Sequence, residues 1–170
     1  LATTDENLVV LRVTLLTGNS PSGKRSPHER ILNGLADDAP PLLFDDEIRQ
    51  PSAAGNVAEA MVELLERPNL NGLFHWAGSE EMSRYELGLR ILDRFGFSSE
   101  RIRRGMIEEV PSEIGNRPTH LGFELSPLVG KLKTRPADLE EQLRDLIVPA
   151  HLYKWYRENA DDPTRYVARF

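Results

Sequence analysis

The run Leu8-Val9-Val10-Leu11-Arg12-Val13-Thr14-Leu15-Leu16, followed by Thr17-Gly18, decides the fold class. It is apolar on both faces apart from Arg12 and Thr14, so it does not alternate. A strand of that kind belongs inside a parallel sheet covered from both sides. Parallel strands need crossover segments, and helical patterns follow it. The expected class is therefore α/β. Few segments can flank this strand: residues 42–44, 73–77 and 106–110. An apolar strand with so few neighbours offers an open edge. Val9, Val10, Leu11, Val13 and Leu15 are thus expected to be covered by something beyond these residues, a missing half or a second copy of the chain.

Working outward, residues 18–23 (GNSPSG) form a loop. Ser26 is placed to cap a helix, with Pro27 at its first position and Glu29 completing a capping box. Ile31, Leu32 and Leu35 give that helix its apolar side, and Pro40-Pro41 close the segment. Asn56, with Glu59 three residues on, predicts the start of a second helix with Val57, Ala60, Met61, Leu64 and Leu65 on one face. Ser83 and Glu86 predict a third, ending at Gly96. Pro136 is expected to open a fourth, carrying Leu139, Leu143, Leu146 and Ile147. The tail beyond Pro149 is polar and aromatic, with Tyr153, Trp155 and Tyr156.

The chain has 170 residues, enough for one domain, or one domain with an appendage. A chain of this length buries about 70% of its unfolded surface, so a core is affordable. No run of 18 apolar residues predicts a membrane span. No charged-then-apolar leader is present, and the expected location is cytoplasmic. The absence of cysteine excludes disulfides, thiolate catalysis and thiolate-bound metals. Net charge is −6, which argues against a general nucleic-acid binder. Residues 101–135 run the other way, with seven Lys and Arg against four Asp and Glu. That stretch reads as a solvated surface or as an anion site.

Glycine-rich phosphate loops, H-E-x-x-H and G-x-S-x-G are all missing. The four histidines are far apart, so no metal site is expected. His75, in an apolar strand, is either a hydrogen-bonded core residue or a cleft residue at a strand end. Asp45, Asp46 and Glu47 read as a solvated turn. Arg49 leaves a strand toward Gln50-Pro51, where its planar fork can meet a diphosphate. Arg117 is held extended by Pro118, again on a loop.

Taken in order, LRVTLLTG, LLFDDEIRQPSAAGNVAEAMVELLE, NGLFHWAGSEEMSRYELGLRIL and RPTHLGFELSPLVGKL resemble the C-terminal half of an extended short-chain dehydrogenase/reductase. The branch they are most similar to holds dTDP-4-dehydrorhamnose reductase and the regulatory β subunit of methionine adenosyltransferase. The resemblance covers residues 8–147. It implies a late Rossmann strand in residues 1–20, a small α/β substrate-binding part in 21–148, and a tail of unassigned role in 149–170. It implies that Thr17 and Gly18 touch the cofactor site, and that Arg49, Arg117 and His75 lie on the substrate side. The implied ligands are a nucleotide sugar and, in a full-length parent, NAD or NADP. The family's glycine-rich loop and Tyr-x-x-x-Lys pair are absent: Tyr85, Tyr153 and Tyr156 are followed four residues on by Leu89, Arg157 and Ala160. The chain alone is therefore expected neither to bind the dinucleotide nor to catalyse. It resembles a substrate-binding portion of a sugar-nucleotide reductase or epimerase, or part of a non-catalytic regulatory subunit.

Overall fold

The computed structural model describes residues 8–112, 115 and 117–167. In chain order its elements are β1 (Val9–Val13), β2 (Leu16–Thr17), α1 (Pro27–Ala36), β3 (Leu42–Phe44), β4 (Ile48–Arg49), β5 (Ser52–Ala53), α2 (Ala54–Leu65), β6 (Gly72–Trp76), β7 (Met82–Ser83), α3 (Arg84–Arg94), β8 (Arg103–Gly105), β9 (His120–Leu121), α4 (Leu139–Arg144) and α5 (Tyr153–Asn159). β1 lies parallel to β6, β2 to β5 and β3 to β8. β4 runs antiparallel to β7 and parallel to β9. The fold is α/β with parallel pairing, as the non-alternating first strand predicts.

The long first strand is in fact two. Between β1 and β2 the chain changes partner: the Thr14 hydroxyl donates to the Gln50 carbonyl, and the Ser52 amide donates to the Leu15 carbonyl at 2.9 Å. Hydrogen bonding to a different neighbour breaks a ladder that hydropathy alone leaves continuous. The other edge of β1 has no strand against it among the described residues. Leu11 and Val13 pack inward, while Leu8 and Val9 stay exposed.

Two apolar cores form. One lies under α2 and the β1–β6 pair, built from Val57, Ala60, Leu64, Phe74, Trp76, Leu128 and Leu132. The larger one gathers α1, α3 and α4 and reaches Leu152 and Tyr156 of the tail. The aromatic residues of the tail are therefore core residues. Tyr156 stands edge-on to Phe95 and Phe97, and Trp155 stacks on Phe97.

Two helix starts, one helix end and one strand differ from the sequence expectation. α2 begins at Ala54, so Asn56 is not its cap. The Asn56 side chain instead donates to the Arg135 carbonyl at 2.8 Å and accepts from the Trp76 indole at 3.0 Å. The last long-patterned helix starts after Asp138, which accepts from the Glu141 amide, and not at Pro136. Its helical span ends at Arg144, short of Leu146 and Ile147. Extended backbone occupies Arg103–Gly105, ahead of the expected 106–110, because its bonds go to β3. α1 and α3 start where their caps predict: Glu29 accepts from the Ser26 amide and Ser83 from the Glu86 amide.

Candidate functional site

The segment from β3 to β5 carries the charged centre of the molecule. The expected solvated turn 45–47 is instead a set of internal ties. Asp45 accepts from the Ser83 hydroxyl at 2.9 Å and pairs with Arg104. Those two contacts, Arg104 first, hold its carboxyl below the usual range. Asp46 accepts from the Ile107 amide. Glu47 is buried, its side chain only 6% exposed.

Glu47 explains its own burial through its partners. Arg49 Nη2 lies 2.9 Å from Glu47 Oε1, and Arg117 Nη1 lies 3.1 Å from Oε2. Arg49 also donates to the carbonyls of Ile48 and Pro118. The Arg117 guanidinium stands 5.5 Å from the centre of the Phe44 ring. A buried carboxylate with paired guanidinium forks is the arrangement that offsets its lost hydration. Burial, and next to it the charge of Arg117, pull the Arg49 pKa down, while Glu47 opposes them. Arg49 is buried, and Arg117 keeps 38% of its side chain exposed. The two arginines thus come together, but on an internal carboxylate that sequence reasoning had placed in solvent.

Thr17 and Gly18 sit at the end of β2 on a cleft of about 640 Å³, shared with Ala54, Gly55, Asn56 and Gln142. Thr17 is itself buried, and its hydroxyl donates to Gln142 Oε1 at 2.9 Å. Gln142 Nε2 donates to the Pro51 and Ala137 carbonyls. A second buried amide, Gln50, donates to the Gly78 carbonyl and accepts from the Phe123 amide, each at 2.8 Å. A Cβ on Gly78 would run into the Pro51 carbonyl oxygen and Gln142 Nε2, so glycine alone fits between them. These two glutamines fix the strand ends that carry Thr17 and Arg49. No sequence motif announces them, because a glutamine that bridges carbonyls has no characteristic spacing.

His75 lies opposite Arg12 in the β1–β6 register and stacks on Phe123, with ring centres 4.4 Å apart. It is half-buried. It lines neither the Thr17 cleft nor the Glu47 contacts. Among the described residues no group of three or more histidine and carboxylate side chains is placed to hold a metal. No helix there is long and apolar enough to cross a membrane.

This arrangement has known relatives. The β subunit of methionine adenosyltransferase 2 from Xenopus tropicalis is 28% identical over 141 residues, which is 73% of this chain and 38% of that protein. A dTDP-4-dehydrorhamnose reductase from Bacillus anthracis, solved with NADP, superposes with a TM-score of 0.68 at 16% identity, over 79% of this chain and 46% of its own. A UDP-glucuronic acid 4-epimerase from Bacillus cereus, solved with NAD, gives 0.63 at 19% identity, over 81% and 43%. These likenesses show a Rossmann-type fold. The chain spans less than half the length of the curated relatives it matches. The sequence profile of the RmlD substrate binding domain matches residues 1–151, and the chain belongs to that family.

Proposed function

We propose that this chain is the substrate-binding portion of an NAD(P)-dependent sugar-nucleotide reductase or epimerase, with Arg49 and Arg117 facing the diphosphate of the substrate. The observation that carries the reading is the meeting of these two arginines on Glu47. A buried fork and a half-exposed one, fixed side by side, suit a diphosphate better than a single charge. The family match and the nucleotide-sugar enzymes among the structural neighbours support it. We assign the open edge of β1 to the other half of such a parent. The dinucleotide finds no glycine-rich pyrophosphate loop in these residues, so they do not by themselves fit that cofactor, and no hydride step is assigned to them. In this reading Thr17 and Gly18 bind the cofactor of the parent and His75 belongs to its substrate side.

Calorimetry with UDP-glucose and dTDP-glucose tests the reading. Arg117→Ala is expected to weaken binding by about 1.5–3 kcal/mol, the worth of one hydrogen bond to a charged group. Unchanged affinity would remove Arg117 from the site. The match to the Xenopus β subunit favours a second reading, a non-catalytic regulatory portion. Co-purification with a methionine adenosyltransferase catalytic subunit, without nucleotide-sugar binding, would select it.

A further inference from the structure

Ser26 and His28 share a hydrogen bond that the nucleotide-sugar reading does not use. Ser26 Oγ lies 2.9 Å from His28 Nδ1, and the other ring nitrogen, Nε2, lies 3.1 Å from the Ile147 carbonyl oxygen. A carbonyl oxygen can only accept, so Nε2 carries a proton. Burial lowers the His28 pKa, against the pull of Glu29 and of that carbonyl, and keeps the ring neutral at pH 7. Its proton on Nε2 leaves Nδ1 bare, and the Ser26 hydroxyl donates to it. Neither partner is loosely held. The Ser26 amide donates to Glu29 Oε2 at 3.0 Å, and the buried His28 ring stacks on Phe95 with centres 5.9 Å apart.

A serine hydroxyl on a neutral imidazole, with the far nitrogen of the ring oriented by a third group, is the arrangement that activates a nucleophile. Ser26 is 8% exposed and lines a cavity of about 200 Å³. Leu16 and Ala54 give that cavity apolar wall. Among the described residues lining it, Arg25 is the one with a charged side chain, and its guanidinium has no hydrogen-bond or ion-pair partner there. The cavity is smaller than the about 300–1,000 Å³ of ordinary ligand sites, so it holds a short chain only.

We propose that Ser26 is a nucleophile, His28 its general base and Arg25 the counter-charge of a site that takes a short acyl group from an ester. Ser26 Oγ attacks the ester carbonyl carbon as its proton passes to His28 Nδ1. Arg25 stabilises the carbonyl oxygen once it turns negative. When the tetrahedral centre collapses, the bond to the leaving alkoxide breaks and Nδ1 returns the proton to it. The alcohol departs and the acyl group stays on Ser26. Water attacking that new ester by the same route releases a carboxylic acid and restores the hydroxyl. The site is separate from the arginine pair on Glu47 and does not depend on the nucleotide-sugar reading.

The probe is p-nitrophenyl acetate, used on the full chain. A burst of one equivalent of p-nitrophenol is expected, and peptide mapping should place one acetyl group on Ser26. Ser26→Ala should remove the burst. His28→Gln should slow it about 10²–10⁴-fold, the worth of a positioned general base. Arg25→Ala should slow it about 10²-fold, the loss of one oxyanion partner. A hydrogen bond that only ties the helix start to Ile147 predicts acetyl groups on lysines alone and the same p-nitrophenol release from a folded Ser26→Ala chain. Either result overturns the proposal. Should Ser26→Ala not fold, the acetyl map of the unaltered chain decides, and no acetyl group on Ser26 overturns it.

Discussion

Asp162 and Gly96 meet backbone to backbone: the Asp162 amide donates to the Gly96 carbonyl at 2.8 Å. Gly96 sits at φ +70°, and a Cβ there would run into the Asp162 carbonyl oxygen. Around this contact, Arg101 pairs with Asp161 at 2.8 Å and Arg94 lies over the Tyr166 ring. The tail is clasped onto the end of α3. Gly96→Ala is expected to destabilise the chain by about 2 kcal/mol or more, from the left-handed backbone and the blocked contact together. Denaturant titration measures the loss, and faster proteolytic nicking after residue 149 locates it.

Tyr156 separates packing from polarity. Its ring is almost wholly buried, but its hydroxyl has no partner. Tyr156→Phe is therefore expected to hold or raise stability at neutral pH. Tyr156→Ala should cost about 3–5 kcal/mol, as large aromatic truncations do. Burial first, and then Tyr166, push the phenol pKa up to about 12. A folded-state pKa raised above the unfolded value of about 10 gives stability that is whole below pH 10 and lost as pH rises toward 12. Thermal melts from pH 9 to 12 should show that loss in the parent chain and less of it in Tyr156→Phe.

Acid acts through two other groups. Glu63 accepts from the Thr134 and Lys133 amides, the Thr134 hydroxyl and Arg67, and its pKa falls to about 2, chiefly through the amides of Thr134 and Lys133. His28 is buried, bonded to Ser26 and to the Ile147 carbonyl, and burial lowers its pKa against the pull of Glu29 and that carbonyl. Both folded values are depressed, so both contributions are present above the unfolded pKa and fade as pH falls below it. His28 acts first, below about pH 6.5, and Glu63 below about 4.5. Glu63→Gln should flatten the stability profile between pH 4.5 and 2, as read by urea titration.

Gln142→Leu tests the bridge beneath the cleft. It removes the acceptor of the Thr17 hydroxyl and one of the two bonds to each of the Pro51 and Ala137 carbonyls, which keep the Gly78 and Ser79 amides. The orphaned hydroxyl costs about 1–3 kcal/mol, and a loss of that size is expected in the denaturation midpoint. An unchanged midpoint would show that the amide fills space only.

Residue patterns foretold what depends on period and caps. The parallel pairing of β1 and the helices at Ser26 and Ser83 follow from runs and spacings. What stayed hidden depends on partners distant in sequence. Glu47 reads as a surface carboxylate until Arg117 is placed against it. Tyr156 reads as tail until Phe95 and Phe97 close over it. Asn56 reads as a cap until Trp76 and Arg135 claim its amide.

The ion pair between Glu47 and Arg117 joins positions 70 apart. Chain closure over that distance adds only modest entropy, about 0.6 kcal/mol for each doubling, but it fixes an order of events. Helices such as α2 and α3, which lie between the two residues, form from local contacts and form early. On the ribosome, Glu47 emerges with Arg49 two residues behind it and waits for Arg117 until β6, α3 and β8 have followed. Both cores draw on residues beyond Arg117, Leu128 and Leu132 in one, Leu139 and Tyr156 in the other. A nascent chain therefore holds every residue of the charged centre before it holds every residue of either core.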